Sequence, residues 1–145
     1  MEPRADFITI ATANLDAARA FYRDGLGWTP LLDVADEIIF FQIGHGLVLG
    51  LFDAVKFTGD MNAGDAPAVV SGLTLSHNEN SPEAVTATFD AAVAAGAASV
   101  KEPQYADFGG FHAHFADPNG LVWEIAHNPA WQVDEDGKVT LGLVE

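Results

Sequence analysis

The chain has 145 residues, enough for one domain of ordinary size and too few for two large ones. Hydrophobic residues at 49% against 19% charged argue against disorder and low-complexity sequence, and no apolar run approaches the ~20 residues of a membrane span. Six basic against 21 acidic residues give a formal net charge of −15, which disfavours nucleic acid and anionic membrane surfaces as partners; the lack of cysteine excludes disulfides, Cys-type zinc sites and a thiolate nucleophile.

The opening Met1-Glu2-Pro3-Arg4-Ala5-Asp6 lacks the apolar stretch of a signal peptide, so a soluble protein of the cytoplasm is expected. Phe7 to Thr12 is rich in β-formers, and Asn14 is a candidate N-cap for a segment with Leu15, Ala18, Phe21, Tyr22 and Leu26 on its apolar side. The pattern predicts a strand and then a helix that stops near Gly25 or Gly27. Trp28 to Leu32 resumes in extended form, and Glu37 to Ile43 and Leu47 to Phe52 read as two further strands around the turn Gly44-His45-Gly46. Residues 53–69 lose periodicity and gain turn formers, which predicts a connector.

The order then begins again. Val70 to His77 reads as a strand, and Ser81-Pro82-Glu83 opens a helix carrying Val85, Phe89, Ala92 and Val93. An extended piece from Ser99 to Gln104 follows, then strands Phe111 to Ala116 and Leu121 to Ala126 joined by the turn Asp117-Pro118-Asn119-Gly120. One βαβββ unit about 50 residues long thus occurs twice, over about 7–52 and 70–126, with a tail over 127–145. A four-stranded sheet with a helix on one face leaves the other face bare, and two such faces can cover each other. The predicted fold is therefore α+β, a single domain of two paired βαβββ modules forming a cup-shaped sheet, with a homodimer as the expected assembly.

Two motifs resemble one known group. Leu15 to Trp28, with Phe21-Tyr22 and Leu26-Gly27, is similar to the "FY…LG" helix ending of the vicinal oxygen chelate superfamily (glyoxalase I, extradiol dioxygenases, bleomycin resistance proteins). Phe115-Ala116-Asp117-Pro118-Asn119-Gly120-Leu121-Val122-Trp123-Glu124 is similar to that group's "F-x-D-P-D-G-x-x-x-E" hairpin. The resemblance implies four metal-ligand places, which fall on Phe7, Gly50, Gly72 and Glu124. Phenylalanine and glycine side chains offer no lone pair, so the group's usual site is expected not to form and no cofactor is expected. Phe7, Gly50 and Gly72 are instead expected to line the cup as ligand-binding positions, together with His112, His114 and Trp131.

Other residues could rebuild a site. Strand alternation puts His112 and His114 on one face, beside the strand of Glu124, so a divalent ion held by His112, His114 and Glu124 is the alternative to a metal-free cup. Glu124, flanked by Trp123 and Ile125, should project away from them and could act as a catalytic acid or base, with a raised pKa if dry and unpaired. His77, at the end of a strand, is either a proton carrier or part of the β-to-α turn, and Trp131 in the tail is a candidate to close the cup over a ligand. No cation falls on a strand position expected to face inward, which disfavours anionic substrates. The expected function is the binding of a small neutral or cationic organic molecule in the cup; the alternative is a lyase, isomerase or dioxygenase-type enzyme.

Overall fold

The computed structural model describes residues 1, 3, 5–60, 73–107 and 109–141. Its contacts divide the chain into two compact units, Met1–Gly72 and Leu73–Glu145.

In the first unit, β1 (Phe7–Thr12) leads into α1 (Leu15–Arg19), which continues as a π-helical turn over Ala20–Gly25. Asn14 caps this helix by accepting a hydrogen bond from the Ala17 N–H at 2.9 Å. The wider π-turn carries the consecutive residues Phe21 and Tyr22 into the core, where both are essentially inaccessible. Trp28 packs on Tyr22 and Phe41, at centroid distances of 5.0 and 5.5 Å. The extended piece expected over Trp28 to Leu32 is displaced along the chain to β2 (Leu32–Val34), followed by β3 (Ile38–Gly44) and β4 (Leu47–Asp53). The sheet order is β1-β4-β3-β2, with β1 parallel to β4 and the other pairs antiparallel.

One element corrects the sequence reading. The connector expected from residue 53 begins with a helix, α2 (Ala54–Asp60). Asp53 starts it by accepting from the Lys56 N–H at 3.0 Å, and the Phe57 ring lies 6.2 Å from that of Phe52. Two turns of helix are too short for an apolar period, so the turn formers Gly59 and Asp60 at its end dominated the pattern.

The second unit repeats the plan with β5 (Thr74–Asn78), α3 (Pro82–Ala94), β6 (Ala98–Tyr105), β7 (Phe111–Ala116) and β8 (Val122–His127). The order β5-β8-β7-β6 reproduces the first sheet, again with its first strand parallel to its last. Neither sheet closes into a barrel. Ser81 caps α3 and Pro82 stands at its first position, as its sequence predicts. Val85, Phe89 and Ala92 of α3 are buried, as are Ala113, Phe115, Trp123 and Ile125 of the strands it covers. A short hairpin, β9 (Trp131–Val133) and β10 (Val139–Leu141), ends the described chain. Asn80 ties it to the loop before α3 through two hydrogen bonds to Val133, of 3.0 and 3.2 Å. No helix among the described residues is long and apolar enough to cross a membrane.

Candidate functional site

With Ala113, Phe115, Trp123 and Ile125 turned toward α3, alternation sends their neighbours to the other face of the second sheet. The ladder then aligns a polar row across all four strands. Ser76 is paired with Glu124, Glu124 with His114, and His114 with Lys101. The next row holds Asn78, Ala126, His112 and Gln104.

Three of these side chains converge. One ring or carboxylate atom from each of His112, His114 and Glu124 lies within 4.8 Å of the others. Glu124 Oε2 is 3.2 Å from His114 Nε2 and 3.5 Å from His112 Nδ1, while its Oε1 accepts from the Ser76 hydroxyl at 3.3 Å. The two imidazole rings meet edge to face with centroids 5.3 Å apart. His112 is buried, and His114 and Glu124 are half-buried. Burial pushes the His114 imidazole below its ordinary pKa; Glu124 opposes this shift, while His112 and Lys101 add to it. The Nδ1 of His114 is buried with no hydrogen-bond partner among the described residues.

Beside His112, a cavity of about 350 Å³ is lined by Lys101, Gln104, Tyr105, Ala106, Asp107 and His112. Tyr105 stands largely exposed, its ring 5.0 Å from that of Phe111. This overturns the expectation that no cation faces a site: Lys101 is both in the polar row and in the cavity wall. Register irregularities between Ser99 and Lys101 and between Lys101 and Gln104 break the alternation of β6, so its faces could not be read from residue order. Lys101, Gln104, Ser76, Tyr105 and Asp107 are the residues missed from sequence. Strand register would have found Lys101, Gln104 and Ser76; Asp107 follows the end of β6, where no register applies.

The other expected positions fall elsewhere. His77 is paired with Ile125, so it lies on the α3 face, opposite Glu124. Its Nε2 is 3.0 Å from Glu79, whose carboxylate also accepts from Thr88 of α3 at 2.6 Å. His77 thus joins the β-to-α turn network and leaves the Glu124 group. Phe7 is half exposed on edge strand β1, its ring 5.5 Å from Phe40. Gly50 occupies in the first sheet the place Glu124 has in the second, but its row reads Thr9, Gly50, Phe40, Leu32 and holds no imidazole or carboxylate. Trp131 begins the terminal hairpin, about a third exposed. Gly72 lies outside the described residues.

Arg19 and Arg23 are occupied within the first unit. Arg19 donates to Asp33 from Nε at 2.9 and 3.0 Å and from Nη2 at 2.7 Å, and Arg23 reaches the same carboxylate at 3.2 Å. The hydrogen bonds from Arg19 hold the Asp33 carboxyl below the ordinary range.

Comparison with known proteins agrees with this architecture. The profile of the Glyoxalase/Bleomycin resistance protein/Dioxygenase superfamily matches residues 4–125. A glyoxalase-related enzyme from Fulvimarina pelagi is 32% identical, with 97% of this chain and 99% of that one covered at a TM-score of 0.84. A glyoxalase/bleomycin resistance protein/dioxygenase family enzyme from Burkholderia phytofirmans PsJN is similar at 21% identity, with 84% and 96% of the two chains covered and a TM-score of 0.72. Lactoylglutathione lyase from Agrobacterium tumefaciens shares the fold at 22% identity, with 89% and 96% covered and a TM-score of 0.68. No curated protein matches the chain. The repeated βαβββ unit, the two motifs that carry the resemblance and the matched profile together place this chain in the glyoxalase/bleomycin resistance protein/dioxygenase superfamily.

Proposed function

We propose that the chain binds a small neutral or cationic organic molecule against the face of its second sheet opposite α3. The observation that carries this reading is the 350 Å³ cavity beside His112, whose size falls in the range of small-molecule sites and whose wall combines an aromatic ring with amide, amine and carboxylate groups. Lys101 and Asp107 in that wall cancel formally, and Arg19 and Arg23 are committed to Asp33, so no surplus of positive charge awaits an anion. The net charge of −15 also favours the approach of a cation. A thermal-shift panel of neutral, cationic and anionic aromatic compounds of similar size tests the reading. Neutral or cationic members should raise the melting temperature in the native chain and not in Tyr105→Ala. A response confined to anions, or none at any charge, would overturn it.

A second reading is enzymatic, with Glu124 as the acid or base of a lyase, isomerase or dioxygenase-type reaction. It draws on the contacts joining Ser76, Glu124 and His114, and on the description of the similar Fulvimarina pelagi protein as an enzyme. Turnover abolished in Glu124→Gln with ligand binding retained would support it; turnover that survives the substitution would overturn it.

A further inference from the structure

The family's ligand places and the donors that this chain possesses do not coincide. Phe7 and Gly50 supply nothing, whereas the second unit gathers two imidazoles and a carboxylate within 4.8 Å. We infer that the second unit by itself binds a first-row divalent transition ion through His112, His114 and Glu124. This assignment goes beyond the organic ligand proposed above, with which it shares His112.

Donor spacing is the first support. Ligand atoms about 2.1 Å from a common ion lie about 3.0 Å apart across an octahedral edge and about 3.4 Å across a tetrahedral one. The separations of 3.2 Å from Glu124 Oε2 to His114 Nε2 and 3.5 Å to His112 Nδ1 already have that length. One donor atom from each of the three residues lies within 4.8 Å of the others, a spread that a turn of an imidazole about its terminal torsion can close.

The strands make the arrangement rigid. His114 and Glu124 are directly paired across an antiparallel ladder, and His112 follows two residues along the same strand, so all three side chains leave one face of one sheet. The carboxylate is also held in place. Ser76 holds the outer carboxylate oxygen, which leaves Oε2 to the two rings and supplies the supporting contact that ligating carboxylates ordinarily have. Two imidazoles with one carboxylate suit zinc, iron(II), cobalt(II) or nickel(II) better than magnesium or calcium, which prefer all-oxygen sets.

The test is a titration of tag-free, chelator-stripped protein with cobalt(II), followed by its visible absorption, with zinc(II) as competitor. Saturation at one ion per chain and displacement by zinc are expected. His114→Ala and Glu124→Gln should each weaken binding by about 100-fold or more, while His77→Ala, on the opposite face, leaves it unchanged. Circular dichroism checks that each variant is folded, and His114→Gln replaces any that is not. Failure of the native chain to saturate at one equivalent overturns the proposal whatever the variants do. So does undiminished binding in a folded His112→Ala/His114→Ala double variant.

Discussion

Ser76 and Glu124 are partners across a parallel ladder, and the 3.3 Å hydrogen bond from the Ser76 hydroxyl to Oε1 divides the carboxylate between two tasks. One oxygen is held by the serine, and the other faces both imidazoles. Ser76→Ala should therefore weaken cobalt(II) binding by about 10-fold, the low end for a supporting contact, while changing stability by less than about 0.5 kcal/mol. Parallel metal titration and thermal melts check this. Unchanged affinity would mean that the serine does not orient Glu124.

The Arg19–Asp33 contact predicts a pH-dependent stability. The folded-state pKa of Asp33 is depressed, chiefly by the Arg19 hydrogen bonds, so its contribution is complete above the ordinary carboxylate pKa and disappears as pH falls through the folded value. Asp33→Asn should cost about 1 kcal/mol at pH 7, and its deficit relative to the native chain should narrow progressively below about pH 4. Urea denaturation at both pH values measures it. A deficit as large at pH 3 as at pH 7 would rule out the ionic origin.

Gly50 is closely covered. A Cβ there would stand 3.1 Å from Cε1 of Phe40 and 3.4 Å from the Thr9 hydroxyl. Gly50→Val should destabilise by about 1–3 kcal/mol through overpacking, with at least half of the loss recovered when Phe40→Leu is added. Additive single effects in the double-mutant cycle would show that the Phe40 ring is not the obstacle.

Asp117 organises the turn between β7 and β8 that delivers Glu124. Its buried Oδ1 accepts from the N–H groups of Asn119 and Leu121, at 2.8 and 2.9 Å, while Gly120 takes a φ of +88°. Asp117→Ala leaves those donors unsatisfied and should cost about 2 kcal/mol; Asp117→Asn, which retains an acceptor oxygen, should cost less than half of that. Equal losses in the two variants by chemical denaturation would assign the effect to charge instead of to the acceptor.

Residue order alone determined the repeated βαβββ unit, because its signals are local. Asn14 and Ser81 cap the helices they precede, Pro82 starts one of them, and Phe111 to Ala116 alternates cleanly enough for His112 and His114 to be placed on one face with Glu124 beside them. The helix over Ala54–Asp60 escaped because seven residues carry too little periodicity to stand against flanking turn formers. What only the tertiary structure decided is which strand residues stand opposite one another. Two irregularities in β6 turn Lys101 and Gln104 toward the histidines, and a one-residue step along β5 separates Ser76, on the Glu124 face, from His77, on the helix face. In a sheet of period two, a single unpaired residue reverses every side chain beyond it, so the composition of a face depends on pairing register, which the order of residues along one strand does not contain.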